Sequence, residues 1–342
     1  MKIGQIKIGV VGCGLIGARR ARIARESGDR VVVVGDTNPD RARHVAQDMG
    51  CEWSTDWRAI TRADLDAVVV ATSNDWLAPV TVEALTHRKH VLVEKPMARN
   101  LAEARTVIAA LESNSGLVLK AGFNHRFHPA VLRAHELYEQ GAIGEVLFLR
   151  GRYGHGGRPG YEREWRADVN VSGGGELLDQ GVHLIDLFNW FVPDLEEAFG
   201  YTAAYVWKSA AHVRPAEDNA FAMFRGARGQ TASLHVSWTQ WKNLFSLEVF
   251  GRTGYLLIEG LGGSYGIERL VIGRRRMEGG VPQEESIEYS GPDGSWAAEW
   301  REFRRAIEHG AQPIGSGRDG LKALQVIDAV YRSVSTHTAS RL

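Results

Sequence analysis

The sequence predicts two architectures in succession: an α/β first half built on a doubly wound parallel sheet, then an α+β second half with a large, open, mostly antiparallel sheet. From residue 6 to about 122, short β-branched runs alternate with amphipathic stretches, as in a parallel sheet covered by helices on both faces. From 198 onward, alternating segments succeed one another through short turns with no long helix between them, which implies antiparallel pairing. The length of 342 residues fits two domains of about 100 to 200 residues each, expected at 1–124 and 125–342.

Taken in order, the runs at 6–11, 31–35, 65–72, 90–93 and 116–121 read as parallel strands, with helices at 15–27, 39–49, 78–88 and 101–111. Asn100 before Leu101, with Glu103 close by, marks a helix start, because its side chain can accept from an orphan N–H of the first turn. A helix at 130–140 then leads to a strand at 144–153 and a glycine-rich polar loop at 154–160. A helix at 176–191 follows the glycines at 173–175. Strands are expected at 198–207, 219–225, 231–238, 245–250 and 255–258, and helices at 296–309 and 321–335. Alternation and proximity put Trp238, Trp241, Phe245 and Phe250 on the sheet face that helices leave bare. Burial against a second copy, as a homodimer or homotetramer, is the expected solution; the alternative is cover by the C-terminal segments of the same subunit.

Composition narrows the function classes. Forty-one Lys plus Arg balance forty-one Asp plus Glu, so no net charge draws the chain to nucleic acid or to an anionic membrane. The longest apolar runs, such as 31–34 and 67–71, fall far below the roughly 20 residues of a membrane span. The N-terminus shows no apolar signal core, and Arg19-Arg20 lies inside a helical pattern, so a cytoplasmic location is expected. The cysteines, Cys13 and Cys51, are too few for a disulfide framework or a zinc site.

The chemistry concentrates at strand ends. Gly12-Cys13-Gly14-Leu15-Ile16-Gly17 follows an apolar strand and opens a helix: the first glycine makes the turn, the second admits a pyrophosphate, the third lets helix and strand pack. Asp36 ends the second strand, where it can accept from the adenosine ribose hydroxyls and repel a 2′-phosphate, which favours NAD over NADP; Arg41 and Arg43 lie a turn further on. The alternative is a glycine-rich turn with a capping Asp. Thr72-Ser73-Asn74 ends the third strand, either facing the nicotinamide ribose or capping the next helix. Glu94-Lys95-Pro96 ends the fourth, placing an ammonium over the crevice or forming a solvated ion pair.

Asp179 and His183 stand four apart on the helix expected at 176–191, hence on one face, about 40° apart around its axis. The helix dipole there favours a carboxylate and a neutral imidazole able to take a proton. A capping Asp and a packed His is the other reading, and Asp186 can orient His183 from one turn on. His125 and His128 have metal-ligand spacing without a third ligand, so no metal is expected, and no serine elbow or reactive cysteine context supports hydrolysis.

In order and spacing these pieces, with Gly122-Phe123-Asn124-His125-Arg126-Phe127-His128-Pro129 and the run from Gly173 to Asp186, resemble the glucose-fructose oxidoreductase / inositol dehydrogenase / MocA (Gfo/Idh/MocA) family of nicotinamide-dependent oxidoreductases. The resemblance implies a Rossmann domain followed by an α+β domain with an open sheet used for dimers or tetramers. It implies that Lys95, Asp179 and His183 form the catalytic group and that Asn124 and Arg126 lie near nicotinamide and substrate. The cofactor set is then Gly12, Gly14, Leu15, Ile16, Gly17, Asp36, Thr72, Asn74, Glu94, Lys95 and Asn124. Beyond 191 the resemblance is architectural; Arg126, Trp165, Arg166, Asp179, His183 and Trp241 are the expected substrate contacts, or, for the tryptophans and Arg166, packing.

The expected reaction is hydride transfer between NAD and a carbinol or ketone carbon of a sugar, cyclic polyol or sugar derivative, nucleotide-linked ones included. His183 takes the proton, Lys95 stabilises the alkoxide and Asp179 positions its neighbours. Arg126, Arg152, Arg158 and Arg166 are candidates for a substrate carboxylate or phosphate. A non-catalytic NAD(H)-binding sensor on the same fold, or an imine or dihydrodiol reductase, are the alternatives.

Overall fold

The computed structural model describes residues 4–208 and 216–342; Met1, Lys2 and Ile3, part of the segment read for an export signal, lie outside them. The chain forms two compact units, the first taking Met1–Asn124, Asn170–Gly173 and Trp296–Leu321, the second His125–Val169, Gly174–Ser295 and Lys322–Leu342.

The first unit alternates β1 (Lys7–Val11), α1 (Leu15–Glu26), β2 (Arg30–Gly35), α2 (Pro39–Met49), β3 (Glu52–Ser54), α3 (Trp57–Arg62), β4 (Ala67–Val70), α4 (Asn74–Thr86), β5 (His90–Val93), α5 (Leu101–Ser113) and β6 (Leu119–Ala121). All neighbours in its 6-stranded sheet are parallel, in the order β3-β2-β1-β4-β5-β6. The order reverses beside β1, and the crevice beyond the strand ends at such a switch point is where ligands bind in open α/β sheets. β3, with three residues, and α3, with six, escape sequence reading because neither is long enough to display its period. α4 begins earlier than expected and carries Pro79 inside it. Asn100 caps α5 as expected, accepting from Glu103 N at 2.9 Å.

The second unit begins with α6 (Pro129–Glu139), β7 (Val146–Gly154), α7 (Val169–Ser172), α8 (Glu176–Asp179) and α9 (Gly181–Phe191). Then come β8 (Leu195–Ala203), β9 (Asn219–Gly226), β10 (Thr231–Ser237), β11 (Leu244–Gly251), β12 (Gly254–Glu259), β13 (Glu268–Arg274) and β14 (Gln283–Tyr289). The chain closes with α10 (Ser295–His309), α11 (Gly317–Thr336) and β15 (Ser340–Arg341). Its 9-stranded sheet runs β14-β13-β12-β11-β7-β10-β9-β8-β15, antiparallel except for the β7–β10 pair.

Period-2 alternation sorts this sheet into two faces. Leu149, Tyr153, Phe224, Leu234, Val236, Phe245, Leu247, Val249, Leu256 and Ile258 are buried. Their neighbours in the register, Tyr201, Phe221, Met223, Arg150 and Arg152, stand on the open face, where Tyr201, Phe221 and Met223 are exposed. The aromatic set expected on that face is therefore corrected. Phe245 and Phe250 are five residues apart and point to opposite sides, Phe245 being buried. Trp238 is buried at the end of β10, and Trp241 is exposed in the turn that follows.

A single boundary at 124/125 would assign 170–173 and 296–321 to the other unit; the physical reason 296–321 goes with the first is α10. Its Trp300, Phe303 and Ala306 share one apolar core with Ile8, Val10, Ala21, Val34, Val69 and Leu92. Trp300 Nε1 donates to Asp29 Oδ2 at 2.9 Å, and Asp29 Oδ1 accepts from Ile6 N at 3.2 Å. Arg20 of α1, with no exposed surface, donates through Nε to Glu94 Oε1 at 2.8 Å and through Nη1 to Glu299. Burial pushes the Glu299 carboxyl above its ordinary value, with Arg20 opposing.

Removing the guanidinium by Arg20→Met leaves two carboxylates buried without their cation, a loss of about 3 to 5 kcal/mol. Glu299, already pushed up by burial, then binds a proton more readily folded than unfolded, so stability rises as pH falls. Denaturant titrations should show the deficit shrinking between about pH 8 and about pH 5. A deficit that is flat across that range contradicts the assignment.

Candidate active site

In the first unit the glycine turn is built for close approach. Gly12 has φ of 98°, and a Cβ there would lie 2.3 Å from Ala71 O; at Gly17 it would lie 1.7 Å from Gly12 O. Only glycine holds β1, β4 and α1 this near. At Gly14, by contrast, a Cβ meets nothing within 4 Å, so space opens where α1 starts. The first turn of α1 has no acidic residue and no side-chain cap, leaving its N–H groups directed at that space, and Leu15 beside it is 77% exposed while Ile16 is half-buried. These groups suit a pyrophosphate.

Asp36 closes the cradle. Its Oδ2 accepts from Cys13 N and its Oδ1 from Asn38 N, both at 2.9 Å, so turn and strand end are locked together while the carboxylate stays partly exposed. Arg43 is paired with Asp40 at 2.9 Å and lies over the Trp53 ring. The residues fit an unphosphorylated adenosine ribose.

The other strand ends divide. Thr72 is half-buried, its Oγ1 donating to Ser73 O at 3.0 Å. Asn74 is buried and its Nδ2 donates to Ser172 O at 2.7 Å, so its amide anchors the 170–173 segment. Glu94 is buried against Arg20, which gives its carboxylate a structural duty, whereas Lys95, at the cis Lys95–Pro96 bond, is half-exposed. Asn124 is buried at the head of a short 3-10 turn.

In the second unit the expected continuous helix at 176–191 is corrected. α8 ends at Asp179, and His183 N donates to Gln180 O at 3.1 Å, the 3-10 spacing, before α9 proceeds. Gly181, a poor helix former, stands at the break. Asp179 and His183 thus belong to consecutive helices joined at Gln180, whose backbone stays in the right-handed helical region with φ of -101° and ψ of -37°. α8 itself is capped from afar: Glu217, contributed from the segment before β9, accepts from Gly175 N at 3.0 Å, Leu177 N at 3.2 Å and the Tyr331 hydroxyl at 2.7 Å.

His183 is buried and stacks on His125, ring centroids 3.8 Å apart. His128 Nδ1 meets Glu268 at 3.0 Å, so the pair of histidines serves the packing of this unit. Asp186 grips Arg126 through two bonds of 2.7 and 2.6 Å, both residues buried. Arg166 lies over the Trp165 ring, with Nε 3.3 Å from Asp179 Oδ2.

Three tyrosines that sequence reasoning missed gather here. Tyr161 is buried edge-on against Trp238 at 4.9 Å, and burial followed by the charges of Asp179 and Glu176 pushes its hydroxyl upward. Tyr153 is also pushed up, by burial and by Tyr265, and burial takes Tyr265 to about 12. All three hydroxyls remain protonated donors near neutrality. Their only sequence signal was an aromatic residue in or beside a glycine-rich loop, which many surface loops share.

Both units match known proteins. Residues 6–122 match the model of an oxidoreductase family with an NAD-binding Rossmann fold, and 131–257 match the GFO/IDH/MocA C-terminal domain. An inositol 2-dehydrogenase of Rubrobacter xylanophilus is 28% identical over 336 residues, 96% of this chain and 91% of that protein. A levoglucosan dehydrogenase of Pseudarthrobacter phenanthrenivorans is 30% identical over 208 residues, 60% of this chain and 53% of its own length. A solved levoglucosan dehydrogenase in complex with NADH and levoglucosan superposes with a TM-score of 0.89 at 22% identity, covering 98% of this chain and 99% of that one. Matched in both of its domains, in their order along one chain, the protein belongs to the GFO/IDH/MocA family of NAD-binding oxidoreductases.

Proposed function

We propose that the protein is an NAD-dependent dehydrogenase that interconverts a carbinol and a ketone on a sugar, a cyclic polyol or a sugar derivative. The observation that carries this reading is the Asp36-locked glycine cradle, which suits NAD, on a chain whose second domain belongs to the same family. Names of relatives point the same way: an inositol 2-dehydrogenase and a 1,5-anhydro-D-fructose reductase each align over 96% of this chain.

A bound nicotinamide supplies the hydride acceptor in oxidation and the donor in reduction. His183, the buried imidazole in the first turn of α9, takes the hydroxyl proton as charge builds on the oxygen. Lys95 stabilises that oxyanion, and Asp179 positions substrate hydroxyls beside Arg166. These roles rest on the order of the family motifs together with the placement of each residue within its own unit. Gly12, Gly14, Leu15, Ile16, Gly17 and Asp36 hold the dinucleotide, and Thr72, Lys95 and Asn124 complete its nicotinamide end. Trp165, Arg166 and Trp241 border the substrate. The protein assembles as a homodimer or homotetramer in the cytoplasm through the open face, supported by Tyr201, Phe221 and Met223 at 62%, 42% and 52% exposure. Among the described residues no helix is long and apolar enough to cross a membrane.

A panel of inositols, anhydrosugars and hexoses with NAD, followed at the absorbance of reduced nicotinamide, should reveal turnover; tight NAD binding with no turnover across the panel overturns the proposal. His183→Ala should lower kcat by about 10²- to 10⁴-fold with NAD affinity almost unchanged, and full activity would make His183 a packing residue. Asp36→Ala should cost about 1 to 3 kcal/mol of NAD binding and narrow its preference over NADP, as titration of both cofactors would show. Light scattering should give a dimer or tetramer, and Phe221→Asp with Met223→Asp should reduce the mass to that of one chain.

A further inference from the structure

The arginines beside Asp179 are already engaged by carboxylates, and Glu176 adds a further acid to the same neighbourhood. Arg166 has Nε 3.3 Å from Asp179 Oδ2 and Nη1 3.7 Å from Glu164 Oε2, while Arg158 Nη2 lies 2.6 Å from Glu164 Oε1. Two guanidiniums therefore face two carboxylates. The other arginines that the sequence offered to an anionic substrate are placed elsewhere. Arg126 is buried and bound twice by Asp186. Arg152 stands on the open face of the sheet, because alternation along β7 sends it opposite to the buried Tyr153.

What surrounds this paired quartet is aromatic and hydroxylic. Tyr161 packs against Trp238 and Trp207, the Trp165 ring lies under Arg166, and Arg158 lies over Tyr161. Rings of this kind cover the C–H face of a polyol, and a neutral hydroxyl can donate to a carboxylate and accept from a guanidinium at once. A substrate carboxylate or phosphate gains little here. It approaches Asp179 and Glu164 together with the arginines they already neutralise, and every new contact requires an existing ion pair to open.

We propose that the site around Asp179 and Arg166 selects an uncharged polyol or sugar and discriminates against the uronate, phosphate and nucleotide-linked forms of the same ring. This narrows the dehydrogenase reading, on which it rests, to neutral substrates. The selectivity comes from paired arginines, with Glu164 as the residue that occupies both.

Calorimetry on the NADH-loaded protein with matched ligands tests it: myo-inositol against its monophosphate, and glucose against glucuronate, glucose 6-phosphate and UDP-glucose. The neutral member of at least one set should bind, with its charged counterparts weaker by about tenfold or more. In Glu164→Gln, where Arg158 and Arg166 each lose a partner, that gap should narrow several-fold. Charged members binding as well as neutral ones, no binding by any neutral member, or an unchanged gap in Glu164→Gln overturns the proposal. Turnover of the same ligands is scored separately: a neutral ligand that binds selectively without reduction of NAD removes the dehydrogenase reading and leaves the charge selectivity standing.

Discussion

Arg20 is the charge around which the first unit is assembled. Its guanidinium is fully buried between Glu94 and Glu299, and the Trp296 ring lies 4.4 Å from it. A buried charge is tolerable only when its partners are held in place, so the arrangement constrains three distant parts of the chain together. α1, which begins at the glycine turn, supplies the cation. The end of β5, immediately before Lys95, supplies one anion, and α10, far along the sequence, supplies the other. Lys120 repeats the device nearby, 3.3 Å from Glu302 and itself buried. The cofactor cradle and the strand that carries Lys95 are thus tied to the same helix.

The second unit solves a different problem. Its sheet must bury one face and present the other, and strict alternation achieves both along every strand without any change in composition. The covered face carries Tyr153 and Phe245, which pack on His125. Glu217 reaches the exposed N–H groups at the start of α8, so the helix of a single turn that ends in Asp179 is held by a carboxylate 40 residues away in sequence. Asp218, next to it, accepts from Tyr205 N, Val206 N and Trp207 N and holds the chain that leaves β8. Adjacent acids at 217 and 218 thereby anchor the site helix and a loop bearing Trp207, whose indole donates to Trp238 O at 2.8 Å.

Ion pairing also decides what the polar residues are free to do. Arg126, Arg152, Arg158 and Arg166 are the sequence's candidates for anion recognition, yet each has either found a carboxylate or turned to the other side of the sheet. Within proteins a guanidinium close to a carboxylate is a hydrogen-bonding scaffold more than a free charge. Asn74 and Glu94 follow the same logic in the first unit, where residues at ligand-facing strand ends serve packing partners.

Local signals were legible in the amino-acid order alone. The glycine spacing, the Asp36 strand end, the alternation of strand and helix in the first half and the family motifs up to Asp186 all depend on backbone geometry within a few dozen residues, and sequence carries that directly. The tertiary structure decided the rest. The association of α10 with the first unit and the pairing of Glu94, Asp186 and Glu217 join residues tens to hundreds of positions apart. Such pairings are chosen by burial, because a polar group removed from water takes whichever partner the fold brings within hydrogen-bond reach, and no local pattern records which partner that is.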